Sequence, residues 1–281
     1  MRFFCEGPCH HKNTIGLNLM ISEGMDVDLS YSPNKEYDWI VNFSEFKTYP
    51  NHSGGVIYGP QILFPTIPAS SVPNVYGKTY CNLLSDWLVD LNLDINPDMK
   101  SIALPFAVDV NRFRPSGKIG KPVIYFKNIR TDILQSVLDK LGNDFIVIRY
   151  GGYSEDYYLR SIAEAPYVIW LGRHESQGFA LQEALSCNTP IFVIDVSSLR
   201  DEMGSGGDKP WGNFLPGHPL KATAASYFDN RCGVISSIES WEEHIDDFIL
   251  NTNHYSPREF VMETLSPRAC YETWIRKLDS L

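Results

Sequence analysis

HESQGFALQEALSCNTPIFVID, residues 174–195, is the stretch on which the reading of this chain turns. Two carboxylates, Glu175 and Glu183, stand eight positions apart, with Gly178 between them. Gly178 marks the expected start of a helix through Ala180, Leu181, Ala184 and Leu185, and Pro190 then leads into the apolar strand IFVI. A helix N-terminus offers free backbone N–H groups and the positive end of the dipole, so a phosphate or diphosphate can sit there. Two glutamates beside such a site grip phosphate poorly, but they suit hydrogen bonds from neutral hydroxyls such as those of ribose and a sugar ring. The combined demand is that of a diphosphate flanked by two polyols, as in a nucleotide sugar.

Around this stretch, apolar strand runs alternate with helical spacing. KPVIYFKNI, NDFIVIRYGG, PYVIWLG, IFVID and CGVIS read as strands. TDILQSVLDKLG, ended by Gly142, SEDYYLRSIAEA, capped by Ser154, and SWEEHIDDFILN read as helices. Such alternation predicts a doubly wound α/β unit with a parallel sheet. The preceding VDVNRFRPSGKIGK, with Pro115, Gly117 and Gly120, has the composition of a linker. Upstream lies a less regular α/β unit. MRFFC, YDWIVNF, GVIYGPQILFP and MKSIALPF read as strands, TIGLNLMISEG as a helix closed by Gly24, and CNLLSDWLVDLNLD as a helix with Leu84, Trp87, Leu88 and Leu91 on its apolar face. The tail SPRACYETWIRKL is amphipathic and suited to packing back on the first unit.

The chain has 281 residues and is 43% hydrophobic, enough for one large or two modest cores. A net charge of −10 weighs against a nucleic-acid partner, which calls for a basic face. No apolar run approaches the roughly 18–20 residues needed to cross a bilayer. The start, MRFFCEGPCHHK, does not read as a signal peptide. A soluble cytoplasmic protein is expected, with peripheral membrane contact left open. Its six dispersed cysteines, Cys5, Cys9, Cys81, Cys187, Cys232 and Cys270, are expected to be reduced.

Most of residues 80–281 resembles the GT-B glycosyltransferases, particularly the retaining group with two glutamates separated by seven residues. Four stretches carry the resemblance in order: CNLLSDWLVDLNLDINPDMKSIALPFAVDVNRFRP, with Pro105, Val108, Asp109, Phe113 and Pro115; the 174–195 stretch; ATAASYFDNRCGVI; and NHYSPREFVMETLSP. The chain departs from the family in Ser176-Gln177 before Gly178, in Asn188 where Gly is usual, and in Lys127-Asn128-Ile129-Arg130 where a Gly-Arg pair is usual. Its N-terminal unit is also short for the family.

The resemblance implies two Rossmann-like domains facing a central cleft, the N-terminal one reduced. Residues 1–112 would bind the acceptor and 113–262 the nucleotide sugar, while 263–281 would return as a helix to the first domain. The implied reaction moves a sugar from a nucleoside diphosphate donor to a hydroxyl of a glycan or glycoconjugate. No catalytic metal is implied. UDP- and GDP-linked donors both fit, with UDP favoured, and the outcome leans towards retention.

Glu183 would take the ribose hydroxyls and Glu175 those of the transferred sugar. Gln177, Gly178 and Phe179 would lend backbone N–H groups. Lys127 and Arg130, after a strand, would neutralise the leaving diphosphate, and Arg173 and His174 are further phosphate contacts. In an inverting alternative, Glu6, His10 or His11 would be the base. Cys5, Cys9, His10 and His11 also admit a metal-ligand reading, although their spacing matches no common zinc pattern. Tyr157, Tyr158, Tyr167 and Trp170 read as core or domain-face aromatics. A non-catalytic binding module and a nucleotide-sugar epimerase are the rival classes.

Overall fold

The computed structural model describes residues 1–281 apart from positions 31, 33, 34, 62, 63, 75, 76, 128, 129 and 201–218. The chain forms two compact units, one of residues 1–109 with 265–281 and one of residues 110–264.

In the first unit, strands β1 (Arg2–Glu6), β2 (Asp26–Asp28), β3 (Trp39–Asn42), β4 (Gly55–Tyr58), β5 (Thr79–Asn82) and β6 (Ser101–Ile102) form a sheet ordered β2-β1-β3-β4-β5-β6. Every described pairing in it is parallel. WIVN and GVIY are buried at every position, as central strands covered on both faces must be. Helix α1 (His11–Ser22) follows β1, and α2 (Asp86–Ile95) follows β5. Gly16 lets α1 come close to the chain at Ala107, since a Cβ there would lie 2.7 Å from the Ala107 carbonyl oxygen.

Several sequence expectations shift here. CNLLSDWLVDLNLD is not helical from Leu84. Cys81 and Asn82 end β5, and Asn82 Oδ1 accepts the amides of Leu84 (2.9 Å) and Leu104 (3.0 Å), turning the chain before α2 begins. Leu84 is buried with φ at +71°, so its apolarity reports burial under a turn and not a helix face. The strand in GVIYGPQILFP stops at Tyr58, before Gly59 at φ +99°. That in MKSIALPF is two residues long.

The second unit holds β7 (Val123–Phe126), α3 (Thr131–Leu141), β8 (Ile146–Arg149), α4 (Glu155–Glu164), β9 (Val168–Leu171), α5 (Phe179–Ser186), β10 (Ile191–Ile194), β11 (Gly233–Ser236), α6 (Trp241–Leu250) and α7 (Pro257–Thr264). Its parallel sheet runs β11-β10-β9-β7-β8. Successive strand residues point to opposite faces. Ile124, Phe126, Ile169, Leu171, Phe192 and Ile194 pack with α3 and α6 around Val137 and Phe248. On the other face Tyr125 stacks on Trp170 with ring centroids 4.0 Å apart, and Tyr158 meets Tyr125 edge-on.

The last helix, α8 (Pro267–Asp279), belongs to the first unit and packs on α1. Trp274 anchors it, donating to the Pro105 carbonyl at 2.7 Å and meeting Phe3 and Phe106 edge-on. No helix among the described residues is long and apolar enough to cross a membrane.

Candidate functional site

The strand order of the second unit decides where a ligand can enter. From β7 the chain crosses to β8 on one side, then returns to place β9 on the other side. The connections leave in opposite directions between β7 and β9, which opens a crevice beyond their carboxyl ends, the usual ligand position in open α/β sheets. Lys127 leaves β7 at this point, its amide bonded to the Leu171 carbonyl of β9 at 2.9 Å. Glu175 stands four residues beyond β9.

The two side chains meet, with Lys127 Nζ 2.6 Å from Glu175 Oε1. Both are largely withdrawn from water, at 17% and 16% exposure. The ammonium also lies 4.5 Å from the centroid of the Tyr150 ring. Gly178 sits in the left-handed region (φ +85°, ψ +48°) at the start of α5. A Cβ there would stand 3.3 Å from Glu175 Cβ, so the glycine relieves strain and leaves room for the carboxylate's stem.

Around Glu175 the backbone is pinned. Its amide donates to the Thr223 carbonyl at 3.0 Å, and the Ser226 hydroxyl donates to its carbonyl. Asp195, one residue past β10, holds that loop. It accepts from the Thr223 hydroxyl at 2.7 Å and the Ala224 amide at 2.6 Å. ATAASYFDN is thus fastened to the site by Asp195, a role the sequence reading did not assign. An acid at the exit of a predicted parallel strand was the available signal; nothing local pointed to Thr223 as its partner.

The other predicted donor residues are distributed along α5 and the segment before it. Glu183 is 5% exposed, one turn of α5 beyond Ala180, whose carbonyl accepts from the Tyr158 phenol. Burial raises that phenol's pKa, with Tyr125 and the Glu183 carboxylate adding to the effect. Gln177 is buried, its amide group donating to Gln182 Oε1 at 3.1 Å while its carbonyl accepts from Gln182. Phe179 opens α5 half-buried, and Arg173 and His174 are half-buried ahead of Glu175. Arg130 is engaged elsewhere: its guanidinium pairs with Asp132 at 2.7 Å and is 47% exposed. That pair holds the Asp132 carboxyl below the usual range, the Arg130 hydrogen bond being the main cause. Among the described contacts, Lys127 pairs with Glu175 and Arg130 with Asp132.

The opposite end of α5 is tied down as well. Asn188 takes φ +54°, a conformation Asn tolerates, and its side chain accepts the Arg258 amide at 3.2 Å. Lys118 Nζ donates to the carbonyls of Ala163 (3.0 Å) and Cys187 (3.1 Å).

In the first unit, the analogous reversal lies between β1 and β3, where Glu6 ends one strand and Asn42 the other. Glu6 is already occupied. Tyr49 Oη and Asn42 Nδ2 donate to Oε1, and Lys47 Nζ lies 3.2 Å from both carboxylate oxygens. His10 caps α1, its Nδ1 accepting the Lys12 amide at 3.3 Å, and His11 is exposed in the first turn. Cys5 is buried, and no group of three or more His, Cys, Asp or Glu among the described residues is arranged to hold a metal ion. The acidic DEMGSGGDK stretch (201–209) lies outside the described residues.

No family model matches the chain. No curated protein matches it either. Solved structures do. The chain is similar to the sucrose-phosphate synthase of Thermosynechococcus elongatus (TM-score 0.54, 9% identity, 100% of both chains covered). It is similar to WaaG, a glycosyltransferase involved in lipopolysaccharide biosynthesis (TM-score 0.52, 10% identity, 100% of this chain and 99% of that one). It is also similar to TarM (TM-score 0.51, 11% identity, 86% of this chain), of which it spans 54%. At this identity the likeness is one of fold: two Rossmann-like domains of the GT-B type, the first reduced, with edge strands of three and two residues.

Proposed function

We propose that the chain is a glycosyltransferase that moves a hexosyl or pentosyl group from a nucleoside diphosphate sugar to a hydroxyl of a glycan or glycoconjugate. The observation that carries this reading is the Lys127–Glu175 pair at the strand reversal of the second sheet, beside the glycine-opened N-terminus of α5. A cation and a helix N-terminus suit a diphosphate, and a carboxylate suits sugar hydroxyls. In the transfer, the bond between the anomeric carbon and the diphosphate oxygen breaks, the acceptor oxygen takes its place, and the hydroxyl proton passes to the leaving diphosphate. Lys127 and the amides of Gly178 and Phe179 offset the charge growing on the leaving diphosphate. Glu175 orients the sugar, and Glu183 takes the ribose hydroxyls. Nothing in this scheme calls for a metal. A solved TarM complex contains UDP, which adds weight to a uridine-linked donor.

A retaining outcome is the preferred form. The inverting form needs a free base in the first unit, and the three donors on Glu6 count against that residue. His10 and His11 remain to be tested by replacement. Thermal-shift measurements with UDP-, GDP-, dTDP- and ADP-sugars, with Glu183→Ala as control, test the donor site. Saturation at 100 times Kd raises stability by about 2.7 kcal/mol. A nucleotide-selective shift lost in the variant, followed by sugar release or transfer, supports the reading. Binding without turnover replaces it with a non-catalytic module, and no shift with any nucleotide refutes the donor site.

A further inference from the structure

The carboxyl edge of the second sheet presents three chemistries in a row. Strand order places β7 between β9 and β8. Beyond β9 stands the Glu175 carboxylate, beyond β7 the Lys127 ammonium, and immediately beyond β8 the Tyr150 ring. The ammonium touches both neighbours, one at 2.6 Å and the other at 4.5 Å from the ring centroid. A nucleotide sugar has the same linear order: a polyol, an anion, then a nucleoside ending in a flat aromatic base.

Tyr150 is held firmly and yet left open. Its amide donates to the Phe126 carbonyl at 2.9 Å, extending the β7–β8 ladder by one residue. Gly151 at φ +78° and the Gly152-to-Arg149 hydrogen bond of 3.0 Å then turn the chain, as in a type II turn. The ring is nonetheless 61% exposed. Its neighbours in sequence and space behave otherwise: Tyr125 and Tyr158 are buried, and Tyr153 stacks on Tyr158 with centroids 5.2 Å apart. Core packing therefore accounts for those rings and not for Tyr150.

The Tyr158 phenol donates to the Ala180 carbonyl of α5, and Tyr158 stacks on Tyr153, three residues beyond Tyr150. The rings after Tyr150 are thus joined to α5, the helix that carries Glu183 one turn beyond Ala180.

We propose that Tyr150 is the platform on which the nucleobase of the donor stacks, with the nucleoside lying over the β8 edge of the sheet. This rests on the donor reading above. Stacking uses the π-face that every base possesses, so the platform accepts uracil and guanine alike and leaves base selection to other groups.

Calorimetric titration of the wild type, Tyr150→Ala and Tyr150→Phe with UDP, GDP and inorganic pyrophosphate tests it. Tyr150→Ala is expected to weaken UDP and GDP by roughly tenfold each. Tyr150→Phe should restore them, and pyrophosphate should bind all three proteins equally. Equal weakening of pyrophosphate would overturn the proposal, because the ring would then act only by holding Lys127. Unchanged nucleotide affinity in Tyr150→Ala would overturn it while leaving the donor reading intact. A wild type that binds neither nucleotide would instead refute the donor reading, and this inference with it.

Discussion

The guanidinium of Arg258 donates to the carbonyl of Ser186 at 2.6 Å, placing a cation at the C-terminal end of the helix whose other end opens at Gly178. The same group reaches the carbonyls of Phe113 and Val110, both at 3.2 Å. Cations are favoured where helix carbonyls lack partners. One side chain of α7 thus joins the end of α5 to the entry of the second unit, and α5 in turn carries Glu183.

Arg258→Ala leaves those carbonyls short of a donor and is expected to lower stability by about 1–3 kcal/mol in urea denaturation. Arg258→Lys should recover only part, because a single ammonium cannot reproduce the fork that serves Ser186 and Val110 together. Full recovery by Lys would show that charge alone matters at this end of the helix.

The Lys127–Glu175 pair yields a double-mutant cycle. Lys127→Met or Glu175→Gln alone removes the ion pair from a largely desolvated partner. Each is expected to cost about 2 kcal/mol, below the roughly 3–5 kcal/mol typical of fully buried pairs. The double variant should be more stable than the sum of the two predicts, with a coupling of about 1 kcal/mol or more. Transfer activity should fall in all three proteins. Additive stability effects would mean that the two side chains do not depend on each other.

Much of the second unit was legible because VIYF, VIWL and IFVI are continuous apolar runs bounded by Pro, Gly and charged residues, the pattern of buried parallel strands. That Gly178 opens a helix was legible as well. The contacts that assemble the site were not. Lys127 and Glu175 are 48 residues apart and meet only because β9 enters beside β7, a crossover that no local pattern encodes. Arg130 looked equivalent to Lys127 by position, and no local pattern foretold its ion pair with Asp132, two residues on. In the first unit, Leu84 carried a helical signal that belongs to a buried turn. Apolar spacing reports burial, and only the surrounding hydrogen bonds decide which element is buried.

Asp229 gives a pH-dependent prediction. Burial pushes its carboxyl upward, but hydrogen bonds from the Arg231 side chain and amide outweigh this and hold it below the ordinary 3.8. A carboxyl with a depressed folded-state pKa contributes stability above its unfolded value and loses it as pH falls through the folded value. Asp229→Asn should therefore be less stable than wild type at pH 7, and the gap should narrow as pH falls through the carboxylate range. Denaturation midpoints across that range check it. A gap that persists undiminished at low pH would assign the effect to packing.

Cysteine reactivity reports on the β1–α1 turn beside His10. Cys5, Cys81, Cys187, Cys232 and Cys270 are buried, whereas Cys9 is only half-buried. Burial raises the Cys9 thiol too, and hydrogen bonds from the Asn13 side chain and the His10 amide partly offset it. Thiolate is the reactive form, and access limits the rest. Brief native-state alkylation at pH 8, mapped by mass spectrometry, should label Cys9 first. Early labelling of Cys187 would mean that the C-terminal end of α5 opens readily.

Gly178→Ala joins backbone strain to the chemistry of the site. Alanine at φ +85° costs about 1–2 kcal/mol, and its Cβ would press on Glu175 Cβ from 3.3 Å. Asparagine tolerates the left-handed region better but adds the same Cβ. The two variants thus separate strain from crowding. If Glu175 must keep its place to orient the sugar, Gly178→Asn should regain stability relative to Gly178→Ala while remaining low in transfer rate. Melting temperature and turnover are measured on both proteins. Recovery of turnover in step with stability would mean that the glycine serves the backbone alone and that the position of Glu175 is not limiting.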